Sequence, residues 1–294
     1  FPTRRSSDLW QMVWVDNAAF LFFAVVKIVL ILCSAPLMAF VWNTLAETVF
    51  ASILLLVVYR FQGNRIMAWR CKLFQAKSLL RNSWPMILSG LAVMVYMRID
   101  QIMLGSMLGG ESVGIYSAAL RLSEVWYFIP ISIVSSVFPA IVKARTKNPH
   151  LYNERFRQLF TLMVILGVAV ALPITFCSDW LVTLLYGKGF SASAQVLVAH
   201  VWTGPFVFLG VAGGRWFIAE NLQKYSFYRT FAGCVVNVVL NALLIPVYGP
   251  VGAAVASVLA QAVASVFFNA LNPVTRPLFY MQLDSMLGRY LVKS

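Results

Sequence analysis

Eight runs of about twenty apolar residues divide this chain, near 18–40, 43–60, 82–106, 115–142, 158–178, 195–214, 228–247 and 251–272. A bilayer's hydrocarbon core takes roughly 20 helical residues to cross. No run alternates polar and apolar residues with period two, so each reads as helix and none as barrel strand. The chain is 61% hydrophobic and 11% charged, far more apolar than a water-soluble interior can hide. The expected fold is an all-α polytopic membrane helix bundle of about eight transmembrane helices.

The connections between the runs give the orientation. Segments 60–81, 143–157, 215–229 and the tail after 272 carry seventeen Lys and Arg, whereas the alternate connections near 41–42, 107–114, 179–194 and 248–250 carry Lys188 alone. Basic residues concentrate on the cytoplasmic side of membrane proteins. The C-terminus is therefore expected in the cytoplasm, and the net charge of +13 reads as an orientation signal, with no nucleic-acid partner. Residues 61–79 alternate basic groups with Ile66, Met67, Trp69, Leu73 and Phe74, as an amphipathic helix on the cytoplasmic surface would. Segment 179–194 is too short to span again. It is expected along the outer interface, with a turn at its YGKGF centre.

Little here supports metal or redox chemistry. Cys33, Cys71, Cys177 and Cys234 are scattered, only His150 and His200 are present, and no metal-ligand spacing occurs. No cofactor and no enzymatic activity are expected. Phe1–Leu9, FPTRRSSDL, is the translation of a common sequencing adapter, so residues 1–9 are set aside as an artefact. The chain then reads as a fragment lacking its front end. A faint internal repeat relates GESVGIYSAAL at 110–120 to GPVGAAVASVL at 249–259, both small-residue helix starts after an outer turn.

Six charges fall inside the expected spans: Lys27, Glu47, Arg98, Asp100, Arg121 and Glu124. Intramembrane charges are costly and face a cavity or a partner. Arg121 and Glu124 are three apart and share a helix face. An Arg98–Glu124 or Asp100–Arg121 pair across the hairpin is one reading; a water-filled cavity whose cations hold an anionic substrate is the other. Lys27 has no evident partner in its own span, which makes it a candidate for substrate contact. Pro130 with Pro139, and Gly204–Pro205 with Gly210, Gly213 and Gly214, are candidate hinges or static kinks. Tyr96, Tyr116, Trp126, Tyr127, Trp202 and Trp216 are candidate sugar-stacking groups, or else core and interface anchors.

The stretch Ser83–Arg145 carries SWP at a helix start, the RIDQIMLG run, VGIYSAALRLSE and the FPAI helix end. It closely resembles the seventh and eighth spans of the O-antigen (Wzx/RfbX-like) oligosaccharide flippases of polysaccharide biosynthesis. WLVTLLYGKGF and YGPVGAAVASVLAQ resemble that family's outer loop and last-span start. The resemblance implies the MATE-like two-lobe architecture of the MOP superfamily, with an incomplete N-terminal lobe. Residues 10–81 would supply two helices and a linker of that lobe, and 82–294 the six-helix C-terminal lobe. It also implies flipping of an undecaprenyl-pyrophosphate-linked oligosaccharide across the bacterial inner membrane by alternating access, beside membrane lipid and other polysaccharide-assembly membrane proteins. Arg98, Asp100, Arg121 and Glu124 fall in the matching segment, and cavity arginines would serve the pyrophosphate. A MATE-type exporter of small cations is the alternative, and would need acidic cavity groups. A membrane glycosyltransferase or polymerase would need catalytic carboxylates in a large aqueous loop, and the outer loops offer only Glu111 and Asp179.

Overall fold

The computed structural model describes residues 6–61, 80 and 97–288. All regular structure among them is helical. The chain divides into two compact units, Phe1–Arg81 and Asn82–Ser294.

Unit 1 is an antiparallel pair, α1 (Ser6–Leu32) and α2 (Leu37–Phe61). The expected turn at 41–42 lies instead at 33–36. Ser34 takes a left-handed φ of 50°, Ser34 N–H donates to Ile31 and Ala35 N–H to Leu30, a Schellman closure that ends α1. Pro36 follows and cannot continue a helix. Hydropathy missed this break because the flanking residues are apolar on both sides. Phe23 packs edge-on to Phe50 at 5.7 Å. The other large apolar side chains of α1 and α2 whose burial is described are mostly exposed, as suits lipid contact.

Unit 2 begins, in its described part, with α3 over 97–108. Gly109, at φ 86°, reverses the chain into α4 (Gly110–Glu124). A 3-10 turn, Val125–Tyr127, leads into α5 (Phe128–Lys147) shortly before Pro130. Asn148 caps α6 (Pro149–Tyr186) by accepting the His150 N–H at 2.9 Å, with Pro149 at the first helical position. α7 (Ala192–His200) and α8 (Thr203–Ala219) form one pass broken at 201–202. α9 (Gln223–Ser265) is two helical arms, 223–248 and 250–265, joined at Gly249 with φ 58°. The arms fold back on each other: Cβ atoms built on Gly233 and Gly252 would lie 2.6 Å from Ala264 Cβ and 2.4 Å from Leu244 O. Only glycine permits that approach. α10 (Arg276–Met286) closes the described chain.

Among the described residues five helical runs are long and apolar enough to cross a membrane, and Asn17–Leu32 is a shorter apolar helix. One of the five, Gln223–Ala270, contains the fold-back at Gly249 and so makes two passes. Two expectations are corrected. Residues 179–186 do not lie along an interface; they extend α6 to 38 residues, about 57 Å of helix. The tail after 272 is not a mere tail. α10 buries Leu278 and Met281 in the core with α5, α6 and α8, while Asp284 reaches Arg157 at 3.5 Å. The expected surface helix at 61–79 lies, apart from Phe61, outside the described residues, as does most of the third expected span.

The two ends of unit 2 differ. Leu108 neighbours Gly249, and Ser193 donates to Ile115 O at 2.8 Å, so the turns at Gly109, Gly187 and Gly249 share one end. At the opposite end Arg145 donates to Ala219 O and to Glu220 at 3.0 Å, and Tyr152 donates to Glu220 at 2.6 Å. Lys143, Arg145, Arg155, Arg157, Arg215, Lys224 and Arg276 belong to this basic end, and Lys188 to the glycine end.

Candidate functional site

A buried carboxylate organises the interior of unit 2. Asp100 is 6% exposed. Asn241 donates to its Oδ1 at 2.6 Å; Tyr116 and Ser257 hydroxyls lie 2.8 and 2.5 Å from its Oδ2. The backbone places all four. Asp100 and Tyr116 are sixteen positions apart across the Gly109 turn, and Asn241 and Ser257 are sixteen apart across Gly249. Each pair therefore sits about 12 Å along its helices from the glycine end. Asn237 accepts from Asn241 at 3.1 Å, one turn further in. Next to this set, His200 Nδ1 and Ser123 Oγ are 2.8 Å apart, and the His200 ring packs edge-on to Tyr116.

The network forms one wall of a cavity of about 430 Å³. Its lining includes Asp100 of α3, Glu124 of α4, Tyr127, Gly210 of α8, and Ser226, Arg229, Thr230 and Asn237 of α9. Ser257, Gln261 and Ser265 line it from the returning arm. On α9 the small and polar positions 226, 230, 233, 237 and 241 recur every three or four residues, a single helical face. On the returning arm 257, 261 and 265 do the same. An apolar helix with one polar stripe turns that stripe away from lipid. Gly210 lets α8 and the returning arm touch: a Cβ there would fall 2.6 Å from Ser265 Oγ.

The six intramembrane charges separate into three groups. Asp100 and Glu124 line the cavity. Arg98 and Arg121 are exposed on unit 2 and are not among its lining residues. Lys27 and Glu47 pair within unit 1 at 2.7 Å. The Asp100–Arg121 pair is corrected, because three neutral donors take the place of the arginine. Arg98 interacts with Glu124 through space, and no hydrogen-bonded pair joins them among the described residues. Lys27 does have a partner: the turn at 33–36 folds α2 back so that Glu47 meets it. Of the candidate stacking aromatics, Tyr127 lines the cavity, Tyr116 serves Asp100, and Trp216 is core.

Arg229 was counted in the sequence as a loop charge. It is 8% exposed, it lines the cavity, and its Nη2 donates to Gly210 O at 3.1 Å. The polar stripe of α9 is the signal that would have found it. No group of three or more His, Cys, Asp or Glu is placed to hold a metal ion among the described residues. The oxygen-rich set about Asp100 offers one carboxylate, amide oxygens and hydroxyls, the donor type of a hard cation or a proton.

Residues 3–195 match the family model described as "Polysaccharide biosynthesis protein". The chain belongs to this family. Two flippases of Haloferax volcanii are among the relatives. The probable low-salt glycan biosynthesis flippase Agl15 is 27% identical over 65% of this chain and 41% of its own length. The probable flippase AglR is 25% identical over 88% and 53%. The putative O-antigen transporter of Shigella dysenteriae is 24% identical over 72% and 53%. The chain thus spans about half the length of the curated relatives it matches. Among solved structures, the lipid II flippase MurJ in an inward closed conformation superposes with a TM-score of 0.61 at 16% identity. That match covers 86% of this chain and 56% of MurJ. The all-α membrane fold of this family member is accordingly shared with a little over half of MurJ.

Proposed function

We propose that this chain is part of a flippase that carries an undecaprenyl-pyrophosphate-linked oligosaccharide across the bacterial inner membrane by alternating access. The observation that carries the reading is a polar cavity inside a lipid-solvated helical unit of a polysaccharide biosynthesis protein. Flippase relatives and the shared fold support it. Unit 1 would belong to an N-terminal lobe and unit 2 would be the C-terminal lobe. The basic end and the C-terminus would face the cytoplasm. Asp100 and Glu124 would meet the substrate or a coupling ion in the cavity, and Arg98 and Arg121 would meet the substrate from the exposed face of unit 2. Lys27 and Glu47 would lock their own helix pair. No chemistry is asked of the protein, since flipping moves a lipid without breaking a bond.

Deletion of the gene tests this. Lipid-linked oligosaccharide should accumulate on the cytoplasmic leaflet, and surface polysaccharide should disappear. Normal polysaccharide in the deletion strain would sink the reading. The exporter alternative gains one observation, the acidic lining by Asp100 and Glu124. A drug-accumulation assay on the same strain separates the two: an exporter's loss raises intracellular dye and leaves polysaccharide intact.

A further inference from the structure

Arg229 is incompletely satisfied. Its Nη2 reaches Gly210 O, and its guanidinium lies over the Phe217 ring at 4.9 Å. Its Nε and Nη1 have no hydrogen-bond acceptor among the described residues, although both atoms are buried. A buried cation with orphaned donors is unfavourable and calls for an anion. Gly213 and Gly214 stand opposite: Cβ atoms there would lie 3.4 Å from Nη1 and 3.6 Å from Nη2. The glycines thus leave the guanidinium room without supplying an acceptor. Ser226 and Thr230 add hydroxyls from the flanking turns of α9.

Depth is the second argument. Arg229 lies twenty residues from Gly249, about 30 Å along the arm, which is the level of the basic end. Asp100 and Glu124 are nine and fifteen residues from Gly109, nearer the glycine end. The cavity therefore has its cation at the depth where a lipid headgroup sits and its carboxylates further in.

We infer that Arg229 is the anion subsite of the cavity and takes the pyrophosphate of a lipid carrier. The orphaned donors lie on two edges of the guanidinium. A pyrophosphate presents acceptor oxygens to both edges at once, whereas a single carboxylate reaches one. The identity of the carrier rests on the flippase reading; the anion site does not.

The chain in nanodiscs of neutral lipid is titrated with inorganic pyrophosphate. Parallel discs carry undecaprenyl pyrophosphate or phosphatidylglycerol. Pyrophosphate should raise the unfolding midpoint and protect Arg229 from phenylglyoxal, read by peptide mass spectrometry. R229K should weaken binding at least tenfold and R229Q abolish it. Wild-type protection and R229K decide the matter if R229Q does not fold. Equal binding by a folded R229Q, or no protection of the wild-type residue by either pyrophosphate, overturns the inference. Protection by phosphatidylglycerol but not by undecaprenyl pyrophosphate overturns the carrier assignment. Cells whose gene carries R229Q should lack surface polysaccharide. Normal polysaccharide there defeats the subsite and leaves the flippase reading standing, because only the gene deletion tests that.

Discussion

Asn241 Nδ2 lies 2.6 Å from Asp100 Oδ1, a hydrogen bond between residues 141 positions apart. It joins the α3–α4 hairpin to the α9 hairpin at one level of the interior. Ser257 completes the joint from the returning arm. Asp100→Ala should therefore cost about 3 kcal/mol, because it strands three buried donors. Asp100→Asn, which keeps one acceptor, should cost less than half of that. Thermal unfolding of the purified variants in detergent checks the order, and equal midpoints would contradict it.

Lys27 and Glu47 form an ion pair within unit 1 at 2.7 Å. Lys27→Met or Glu47→Gln alone should destabilise by roughly 2 kcal/mol, since an unpaired charge remains among apolar helices. The double variant should recover most of the loss. A double-mutant cycle on the unfolding midpoint reads the coupling; additive losses would mean the pair contributes nothing.

Gly252 touches the backbone of Leu244, whereas a Cβ on Gly114 would meet nothing within 4 Å. Gly252→Ala should spread the α9 hairpin at a cost of about 1–3 kcal/mol. Gly114→Ala should be neutral or slightly stabilising. Comparable effects from the two substitutions would refute the close-approach account.

Ser34 occupies the left-handed closing position of α1 at φ 50°. Glycine adopts that conformation without the Cβ penalty. Ser34→Gly should stabilise unit 1 by about 1 kcal/mol, measured as a higher unfolding midpoint.

Lys188 and Arg276 stand at opposite ends of unit 2. In a background with Cys33, Cys71, Cys177 and Cys234 replaced, Lys188→Cys should react with an impermeant maleimide in intact cells. Arg276→Cys should react only after permeabilisation. The reverse pattern would invert the orientation.

The membrane bundle and the basic-end asymmetry were legible because hydropathy and loop charge act on whole segments. What the sequence hid is rotational. Asp100 and Arg121 looked like partners by depth, yet Tyr116 sits at the same level and its hydroxyl reaches Oδ2. Lys27 looked unpaired because the turn at 33–36 lies inside a continuous apolar stretch, which displaced Glu47 in the register. Arg229 closes the basic segment 215–229, which contains the turn between α8 and α9, so charge alone classed it with that connection. The three-to-four spacing of 226, 230, 233, 237 and 241 would have turned it inward. α10 was missed because it is too short to span a membrane and carries Arg276 and Asp284 beside its anchors Leu278, Met281 and Gln282, whose burial depends on packing against α6.

The glycine turns also fix how this unit can deform. Gly109 and Gly249 each join two long helices with a single left-handed residue, so the arms cannot slide past each other at that end. Each pair works as a pair of shears with its rivet at the glycine. A swing of about 5° there moves the far tip of the 26-residue arm at 223–248 by about 3 Å. Arg229 lies about 30 Å from the rivet at Gly249 and Asn241 about 12 Å from it, so one rotation would carry the cation more than twice as far as the joint to Asp100.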